Sequence, residues 1–423
     1  MNRLRGLVAW FAVGWAASSA FAAASAEAPL PMVAPAQVGI SPARLERLQA
    51  ALEEQIEAER YSGAIVLLAR DGKLVDWRAH GWQDAAERTP MRRDSIVKIY
   101  SMSKVITSVA VLILLEEGKL RLGDPIPRFL PALESAQVFT GGTADAPELA
   151  PAARPVTIRH LLTHTAGYYY EESWSASEPA LIELQQRARI WEATDLDDFV
   201  QRVARVPLHE QPGTRYRYGI ATDLLGAIVE KASGQRLDAF LRDRIFSPLG
   251  MVDTGFSVPS EKRERWARVH RRTTGGKLMV VPDSEVDGPG LLSGGGGLYS
   301  TASDYARFAQ MLLNGGELDG VRILSRKTVE LMTSDHIAHL ASPHPFGIPS
   351  QGFGLGVRVV TDLGASTVLG SPGMFGWDGM ATTVVQIDPK ERTVALLLMQ
   401  HVPFNQDDIL ATFTNLVYST IDD

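Results

Sequence analysis

SMSKVITSVAVLILLEEG, residues 101–118, is the stretch that decides the fold of this chain. Its apolar residues are too closely spaced for one amphipathic stripe, which predicts a helix buried on most sides and ended by Gly118. Ser101 and Lys104 stand at i and i+3, and therefore share a face at the start of that helix. The helix N-terminus favours a developing oxyanion, and burial lowers the pKa of a lysine. The pattern makes Ser101 a candidate nucleophile and Lys104 a candidate base toward its hydroxyl.

The S-x-x-K pattern has only two fixed positions and is expected by chance in a chain of this length. It occurs twice, as Ser95–Lys98 and as Ser101–Lys104. The long apolar helix begins directly at the second copy. The sequence therefore favours Ser101 over Ser95 as the nucleophile.

Composition narrows the class of protein. The 423 residues suffice for one large or two ordinary domains, and a hydrophobic content of 45% is typical of a well-packed globular protein. The formal net charge is −7 and the chain has no run of Lys and Arg, which argues against nucleic acid as a partner. The absence of cysteine excludes disulfides, thiolate catalysis and zinc–thiolate sites.

The N-terminal residues have the pattern of a secretory signal peptide. Arg3 and Arg5 form a basic region, and residues 6–20 form an apolar one. Small-residue cleavage sites follow at Ala20-Phe21-Ala22 and Ala24-Ser25-Ala26. We expect cleavage after Ala26, so that residues 1–26 are removed and 27–423 are exported, periplasmic or secreted, without stable membrane association. A retained anchor is the alternative, although the apolar run is interrupted and short for a span.

Strand patterns lie near both ends of the chain, with helical patterns between them. A hairpin around Asp71-Gly72 is predicted from 62–70 and 73–80, and further strands at 353–360, 382–387 and 392–400. Helices are predicted after Ser41-Pro42 and at 157–165, 196–206, 221–233, 301–314 and 407–420. This order predicts one α+β domain at 27–423, with an antiparallel sheet built from both chain ends, flanking helices, and a mostly helical insertion at roughly 120–275.

Four ordered blocks resemble the serine hydrolases of the β-lactamase and penicillin-binding-protein superfamily. They are Ser101–Gly118 with Asp124-Pro125, Ile158–Gly167, Pro212–Glu230 with Tyr216-Arg217-Tyr218, and Gly295–Asp304. The resemblance covers nearly all of the chain after about residue 40. It implies a β-lactamase/DD-peptidase-like fold of the class C-like type and acyl-enzyme chemistry without a metal or an organic cofactor.

The resemblance also implies roles for individual residues. Ser101 would be acylated with Lys104 as its hydrogen-bonded partner, and Tyr218 would exchange protons with Ser101 and the leaving group. Whether lysine or tyrosine is the base stays open, and a purely structural core tyrosine is the alternative for Tyr218. The family's strand-edge triad is matched best by Trp377-Asp378-Gly379, and the backbone N–H groups of Ser101 and Met380 would form the oxyanion hole.

Two positions depart from the family's pattern. Ile220 replaces the asparagine of its Tyr-x-Asn segment, and Trp377 replaces the lysine of its Lys-Thr-Gly triad. The cation that would meet a β-lactam or peptide carboxylate is therefore missing. An aromatic wall favours a neutral, apolar acyl or alcohol group. Both changes resemble the carboxylesterases with the β-lactamase fold, and they predict a small-molecule ester as the substrate of a carboxylesterase or a related acyltransferase.

Two alternatives stay open. One is a class C-like β-lactamase or D-peptidase that acts on β-lactams or D-amino-acid peptides. The other is a binding or assembly protein that kept the fold without catalysis, which an intact Ser101, Lys104 and Tyr218 argue against. The chain has no G-x-S-x-G elbow, which argues against an α/β-hydrolase esterase.

Other motifs give weaker signals. His160 and His164 have the i, i+4 spacing of metal ligands, but Leu161 follows His160 where H-E-x-x-H has glutamate. The loop 334–351 contains His336, His339 and His344. This loop either binds a metal, borders the acyl pocket or is only solvated. Tyr168–Tyr170, with Trp174 after them, predict either a cleft edge or surface packing. We predict neither a metal nor a cofactor.

Overall fold

The computed structural model of the protein describes residues 29–172, 175–283, 286–288 and 290–423. The predicted signal peptide with its cleavage site, and Trp174, lie outside these residues. Within these ranges, every helix is too short or too polar to cross a membrane.

The secondary structure follows the predicted order of hairpin, helical middle and late strands. The strands are β1 Gly63–Arg70, β2 Lys73–Asp84, β3 Thr89–Pro90, β4 Val97–Lys98, β5 Gln137–Gly142, β6 Pro147–Pro151, β7 His270–Arg272, β8 Leu278–Val280, β9 Tyr299–Ser300, β10 Glu317–Leu318, β11 Val321–Arg322, β12 Gln351–Phe353, β13 Arg358–Val360, β14 Phe375–Gly379, β15 Thr383–Asp388, β16 Thr393–Met399 and β17 His401–Val402. The helices are α1 Pro42–Glu57, α2 Ser103–Glu116, α3 Ile158–Leu162, α4 Pro179–Ala188, α5 Leu196–Val203, α6 Ala221–Ser233, α7 Leu237–Leu241, α8 Ser247–Leu249, α9 Ala302–Leu313, α10 Arg326–Met332 and α11 Ile409–Ser419. A π-helical turn at Arg242–Phe246 connects α7 to α8.

An eight-stranded antiparallel sheet joins the two ends of the chain. Its order is β12-β13-β14-β15-β16-β1-β2-β3, so the last long strand of the chain pairs with the first. The predicted α+β fold, with a sheet built from both chain ends and flanked by helices, is confirmed. The stretch 120–275 contains α3 to α8 and also the hairpin of β5 and β6, which the sequence did not predict.

The central strand β1 is buried on both faces of the sheet. Ile65 and Leu67 belong to the larger core, which also contains the apolar residues of α2. Val66 and Leu68 alternate with them and pack in a second core with α1 and α11. Because both faces are covered, the strand is apolar without interruption instead of alternating.

The helix α2 is buried from Ser103 to Leu114, as its apolar sequence predicts. It packs against α6 and α7. It begins two residues later than predicted, because Tyr100–Met102 form a 3-10 turn ahead of it. Tyr100 has a φ of 44°, in the left-handed region, so a regular α-helical ladder cannot extend back through it.

The predicted strand at 353–360 is in fact two strands. β12 and β13 pair antiparallel on either side of a tight turn that contains Gly354 and Gly356. Gly356 has a φ of 84°, and a Cβ at this position would overlap the side chain of Ser108 on α2. Two glycines within three residues signal this turn in the sequence, and the close approach of the turn to α2 requires Gly356.

Candidate active site

The backbone around Ser101 is fixed on both sides. On one side, Tyr100 adopts its left-handed conformation. On the other, the hydroxyl of Tyr305 on α9 donates to the carbonyl of Met102 at 3.0 Å. Met102 and Ser103 are buried, whereas Ser101 is partly exposed. The turn therefore presents one serine at the open end of a buried helix.

Lys104 binds the predicted nucleophile directly. Its Nζ donates to Ser101 Oγ at 3.1 Å, to the carbonyl of Gly295 at 2.7 Å and to the hydroxyl of Tyr170 at 3.0 Å. The side chain is only 1% exposed. Three acceptors satisfy the three donors of an ammonium group. In this geometry a proton can pass between the Ser101 oxygen and the Lys104 nitrogen without an intermediary.

Tyr218 lies shortly before α6, on the other side of the lysine. The Lys104 nitrogen is 4.7 Å from the centre of the Tyr218 ring, within range of a cation–π interaction. The Tyr218 hydroxyl accepts a hydrogen bond of 3.2 Å from Trp377 Nε1. The structure thus brings the three predicted catalytic side chains together, and it adds the predicted Trp377 as the partner of the phenol.

Tyr170 is a fourth member of this cluster. The sequence predicted its segment only as a cleft edge or as surface packing, yet its hydroxyl lies 3.0 Å from Lys104 Nζ. Burial, and then the proximity of Tyr218 and Asp223, raise the pKa of Tyr170 well above its usual range. Tyr170 therefore remains a neutral phenol next to the lysine.

The predicted strand-edge triad lies on β14, against the turn that carries Ser101. A Cβ on Gly379 would overlap the carbonyl oxygen of Ile99 and the hydroxyl of Thr383. Only glycine lets β14 approach this backbone so closely. Met380 follows at the end of the strand and is 52% exposed. The turn that carries Ser101 and the end of β14 therefore lie side by side.

Five rings form what we call the aromatic wall: Tyr216, Tyr218, Phe346, Phe353 and Trp377. The Trp377 ring is 5.2 Å from the ring of Phe353 and 5.4 Å from that of Tyr218, measured between centroids. Phe346, from the loop 334–351, is 5.7 Å from Tyr218 and 5.6 Å from Tyr216. Phe346 is 55% exposed, so the wall extends from the buried lysine to the surface.

An arginine and a carboxylate neutralise each other at the edge of the wall. Asp378 on β14 accepts two hydrogen bonds from the guanidinium of Arg358 on β13, one of them at 3.0 Å. Both side chains are 19% exposed, and the Arg358 guanidinium carbon is 5.8 Å from the centre of the Trp377 ring. The Arg358 cation beside Trp377 is therefore already engaged by Asp378.

The two histidines with metal-ligand spacing perform separate structural tasks. His160 Nδ1 accepts the Thr157 N–H at 3.2 Å, completing a capping box at the start of α3. His164 packs against the rings of Tyr218 and Phe353. Burial, reinforced by the charge of Lys104, lowers the pKa of His164 well below its usual range. Among the described residues, no group of three or more His, Asp or Glu side chains is arranged to hold a metal ion.

Comparison with known proteins identifies the family of this chain. The family model described as Beta-lactamase matches residues 48–418. The chain belongs to the beta-lactamase family. Protein Rv1367c of Mycobacterium tuberculosis (strain ATCC 25618 / H37Rv) is 37% identical over 368 residues, which cover 85% of this chain and 90% of that protein. Esterase EstB of Burkholderia gladioli is 34% identical over 285 residues, 62% of this chain and 68% of that protein.

A solved structure of the beta-lactamase fold is also similar. It is titled "EstCE1, a hydrolase with promiscuous acyltransferase activity", and it superposes with a TM-score of 0.75 at 26% identity. The match covers 89% of this chain and 98% of that one. Family and fold, as predicted, are confirmed. The relatives of this beta-lactamase family member include an esterase and a hydrolase that also transfers acyl groups.

Besides the contact of Tyr170 with Lys104, sequence reasoning missed two parts of the site. One is the carbonyl of Gly295, which binds Lys104; Gly295 begins the fourth family-like block, but that resemblance assigned its carbonyl no role. The other is Asp223, which lies in the first turn of α6, close to Lys104, with no exposed surface. A signal for Asp223 was present, because this acidic residue stands directly before the apolar run of residues 224–229.

Proposed function

We propose that this protein is a serine esterase that hydrolyses small-molecule carboxylic esters through an acyl-enzyme on Ser101. The observation that carries the proposal is the 3.1 Å hydrogen bond between Lys104 Nζ and Ser101 Oγ beside the aromatic wall. A hydroxyl bound to an amine is the arrangement that activates a serine as a nucleophile.

In the proposed acylation, Lys104 acts as the neutral amine: Ser101 Oγ attacks the carbonyl carbon of the ester, and the amine takes its proton and becomes the ammonium. The N–H groups of Ser101 and Met380 stabilise the oxyanion. The intermediate then collapses and the alcohol leaves with a proton from the Tyr218 hydroxyl, which Lys104 replenishes. In deacylation, water attacks the acyl carbon, its proton returns through the same groups, and Ser101 leaves as the hydroxyl.

The walls of the cleft support a neutral, apolar ester as the substrate. Trp377 occupies the position of the family's carboxylate-binding lysine, and Arg358 is paired with Asp378. A substrate carboxylate would therefore have to displace an existing ion pair, whereas apolar acyl or alcohol groups can pack on aromatic rings. This preference favours an esterase over a β-lactamase or a D-peptidase.

The decisive experiment compares the two serines of the tetrads. Ser101→Ala should abolish turnover of p-nitrophenyl butyrate and covalent labelling by a fluorophosphonate, because the attacking oxygen is removed. Ser95→Ala serves as the matched control and should keep both. Turnover that survives in Ser101→Ala would refute the proposal, and a chromogenic cephalosporin cleaved far faster than short esters would identify a β-lactamase instead.

Acyl transfer is a second candidate activity, favoured by the similarity to EstCE1, whose title names it. In this reaction an alcohol would replace water in deacylation. The partition is measured by adding a short primary alcohol to the ester assay and quantifying the new ester against free acid. Acid as the sole product at high alcohol concentration would exclude the transferase.

We also propose that the protein is exported, periplasmic or secreted, because of the basic, apolar and small-residue pattern of residues 1–26. Expression of the full chain followed by cell fractionation and mass measurement tests this. The expected product is extracytoplasmic and begins at Glu27. Full-length protein in the cytosol would contradict the proposal.

A further inference from the structure

A buried carboxylate lies behind the Ser101–Lys104 pair. Asp223, in the first turn of α6, is fully buried. Its Oδ1 accepts hydrogen bonds from Ser293 Oγ at 2.6 Å and from the Gly295 N–H at 3.0 Å. Its Oδ2 is also buried and, within the described residues, has no hydrogen-bond partner. A half-satisfied carboxylate in a core is costly, and such groups are retained for a reason other than packing.

Gly295 is held between this carboxylate and the catalytic lysine. Its N–H is bound by Asp223, and its carbonyl accepts from Lys104 Nζ at 2.7 Å. A Cβ on Gly295 would lie 2.5 Å from Asp223 Oδ2, so the carboxylate lies directly over the glycine. The neighbouring Gly294 carbonyl accepts from Thr107 Oγ1 on α2 at 2.8 Å. Gly294 and Gly295 are thus hydrogen-bonded to both α6 and α2.

We propose that Asp223 is a positioning residue for the Ser101–Lys104 pair: it fixes Gly295 so that its carbonyl holds Lys104, and it supplies the negative charge that balances the buried ammonium. This inference rests on the proposed function, because it assigns Asp223 a role in the same acylation. Asp223 touches neither Ser101 nor the substrate, and it acts through Gly295 and through its charge.

Among the described residues, the other titratable groups close to Lys104 are Tyr170, Tyr218 and His164. Tyr170 remains a phenol and His164 a neutral imidazole, for the reasons of burial given above, so neither supplies that charge. The ring of Tyr218 faces Lys104, and its hydroxyl accepts the indole N–H of Trp377. Burial raises the pKa of Asp223, while the charge of Lys104 and the bonds from Ser293 and Gly295 oppose that rise.

The unpartnered Oδ2 permits a clean test with Asp223→Asn. The amide oxygen can keep both hydrogen bonds of Oδ1, while the amide nitrogen takes the place of an atom that has no partner. The substitution therefore removes the charge and preserves the shape. Loss of this buried negative charge should move the pH profile of kcat/KM to lower pH by about one unit.

Two further variants separate charge from geometry. Ser293→Ala removes one hydrogen bond to Asp223 and keeps the charge, so it should lower kcat by a few-fold and leave both limbs in place. Gly295→Ala pushes a methyl group against Oδ2 and should slow fluorophosphonate labelling of Ser101 at least about tenfold. If Asp223→Asn does not fold, fluorophosphonate labelling of Gly295→Ala still tests the inference.

Two results would overturn the inference: a pH profile for Asp223→Asn that coincides with that of the wild type, or wild-type labelling in Gly295→Ala. In either case, loss of turnover in Ser101→Ala would leave the proposed esterase function standing. If Ser101→Ala keeps its turnover, the proposed function itself fails, and the two failures are distinguishable.

Discussion

The two S-x-x-K tetrads of this chain have the same pattern, lie six residues apart and have opposite environments. Ser95 is fully buried, its Oγ donates to Gln83 Oε1 at 2.7 Å, and Lys98 Nζ binds Asp283 Oδ1 at 3.2 Å. Ser101 is partly exposed, and its Oγ binds the lysine of its own tetrad. The first tetrad stabilises the fold, whereas the second has the geometry of a nucleophile and base.

The difference teaches that backbone conformation, and not the residue pattern, makes this motif reactive. Val97–Lys98 form the strand β4, and Ser95 lies before it and outside any helix, so Ser95 and Lys98 do not share a helix face. Ser101 to Lys104 span the 3-10 turn and the first turn of α2, where i and i+3 share a face. Identical residue types therefore meet in one tetrad and are directed to separate partners in the other.

The largest expected contrast comes from removing each lysine. Lys104→Met should lower kcat/KM for p-nitrophenyl butyrate by about 10³ because it removes the base, and it should also destabilise the fold because the buried Asp223 loses the nearby charge of Lys104. Lys98→Met should keep the activity per folded molecule but lower the free energy of unfolding by about 3 kcal/mol, because it removes a buried cation from Asp283. Ester kinetics and urea unfolding of both variants measure this, and an inactive but stable Lys98→Met would reverse the comparison.

A second test acts on the backbone between the tetrads. Gly379→Ala would press a methyl group onto the carbonyl of Ile99 and displace the turn that carries Ser101. Because an oxyanion donor would lose its alignment, we expect kcat to fall by about a hundredfold. Val385→Ala on the neighbouring β15 provides a control, since it loosens the core without a clash at Ile99. Full activity in Gly379→Ala would show that β14 does not shape the cleft.

A smaller effect is expected at the buried serine of the first tetrad. Ser95→Ala removes the hydrogen bond to Gln83 and the acceptor for the Arg92 N–H. Thermal unfolding should report a loss of about 1–2 kcal/mol, with fluorophosphonate labelling unchanged. Reduced labelling in a folded Ser95→Ala protein would mean that the two tetrads are functionally coupled.

The smallest effect is expected at the exposed end of the aromatic wall. This wall lies beside the second tetrad, where Tyr218 contacts Lys104. Phe346→Ala should raise KM for aryl or long-chain esters by about threefold while kcat stays close to the wild-type value, because half of this ring is already exposed. Steady-state kinetics on esters of increasing chain length measure this. A drop in kcat without a change in KM would assign Phe346 to the chemistry instead.

Much of the fold could be predicted from the sequence, because the strongest secondary-structure signals lie in short stretches of neighbouring residues. The apolar run of α2, the Asp71-Gly72 hairpin and the strands 382–387 and 392–400 gave elements within a few residues of their observed limits. The division of 353–360 into β12 and β13 was missed, although Gly354 and Gly356 are turn signals inside the apolar run. Its cause, the contact of Gly356 with Ser108, is between residues far apart in the chain.

By itself, the sequence determined the family, the α+β order of elements and the candidates Ser101, Lys104, Tyr218 and Trp377, since these depend on residue types and spacings along the chain. Only the tertiary structure decided what each candidate contacts. Lys104 binds the Gly295 carbonyl and the Tyr170 hydroxyl, and the Trp377 indole donates to the Tyr218 hydroxyl. Asp223 binds the Gly295 N–H behind them. Hydrogen bonds and burial act over a few ångströms, and the packing of α2, α6 and β14 brings these distant segments within that range.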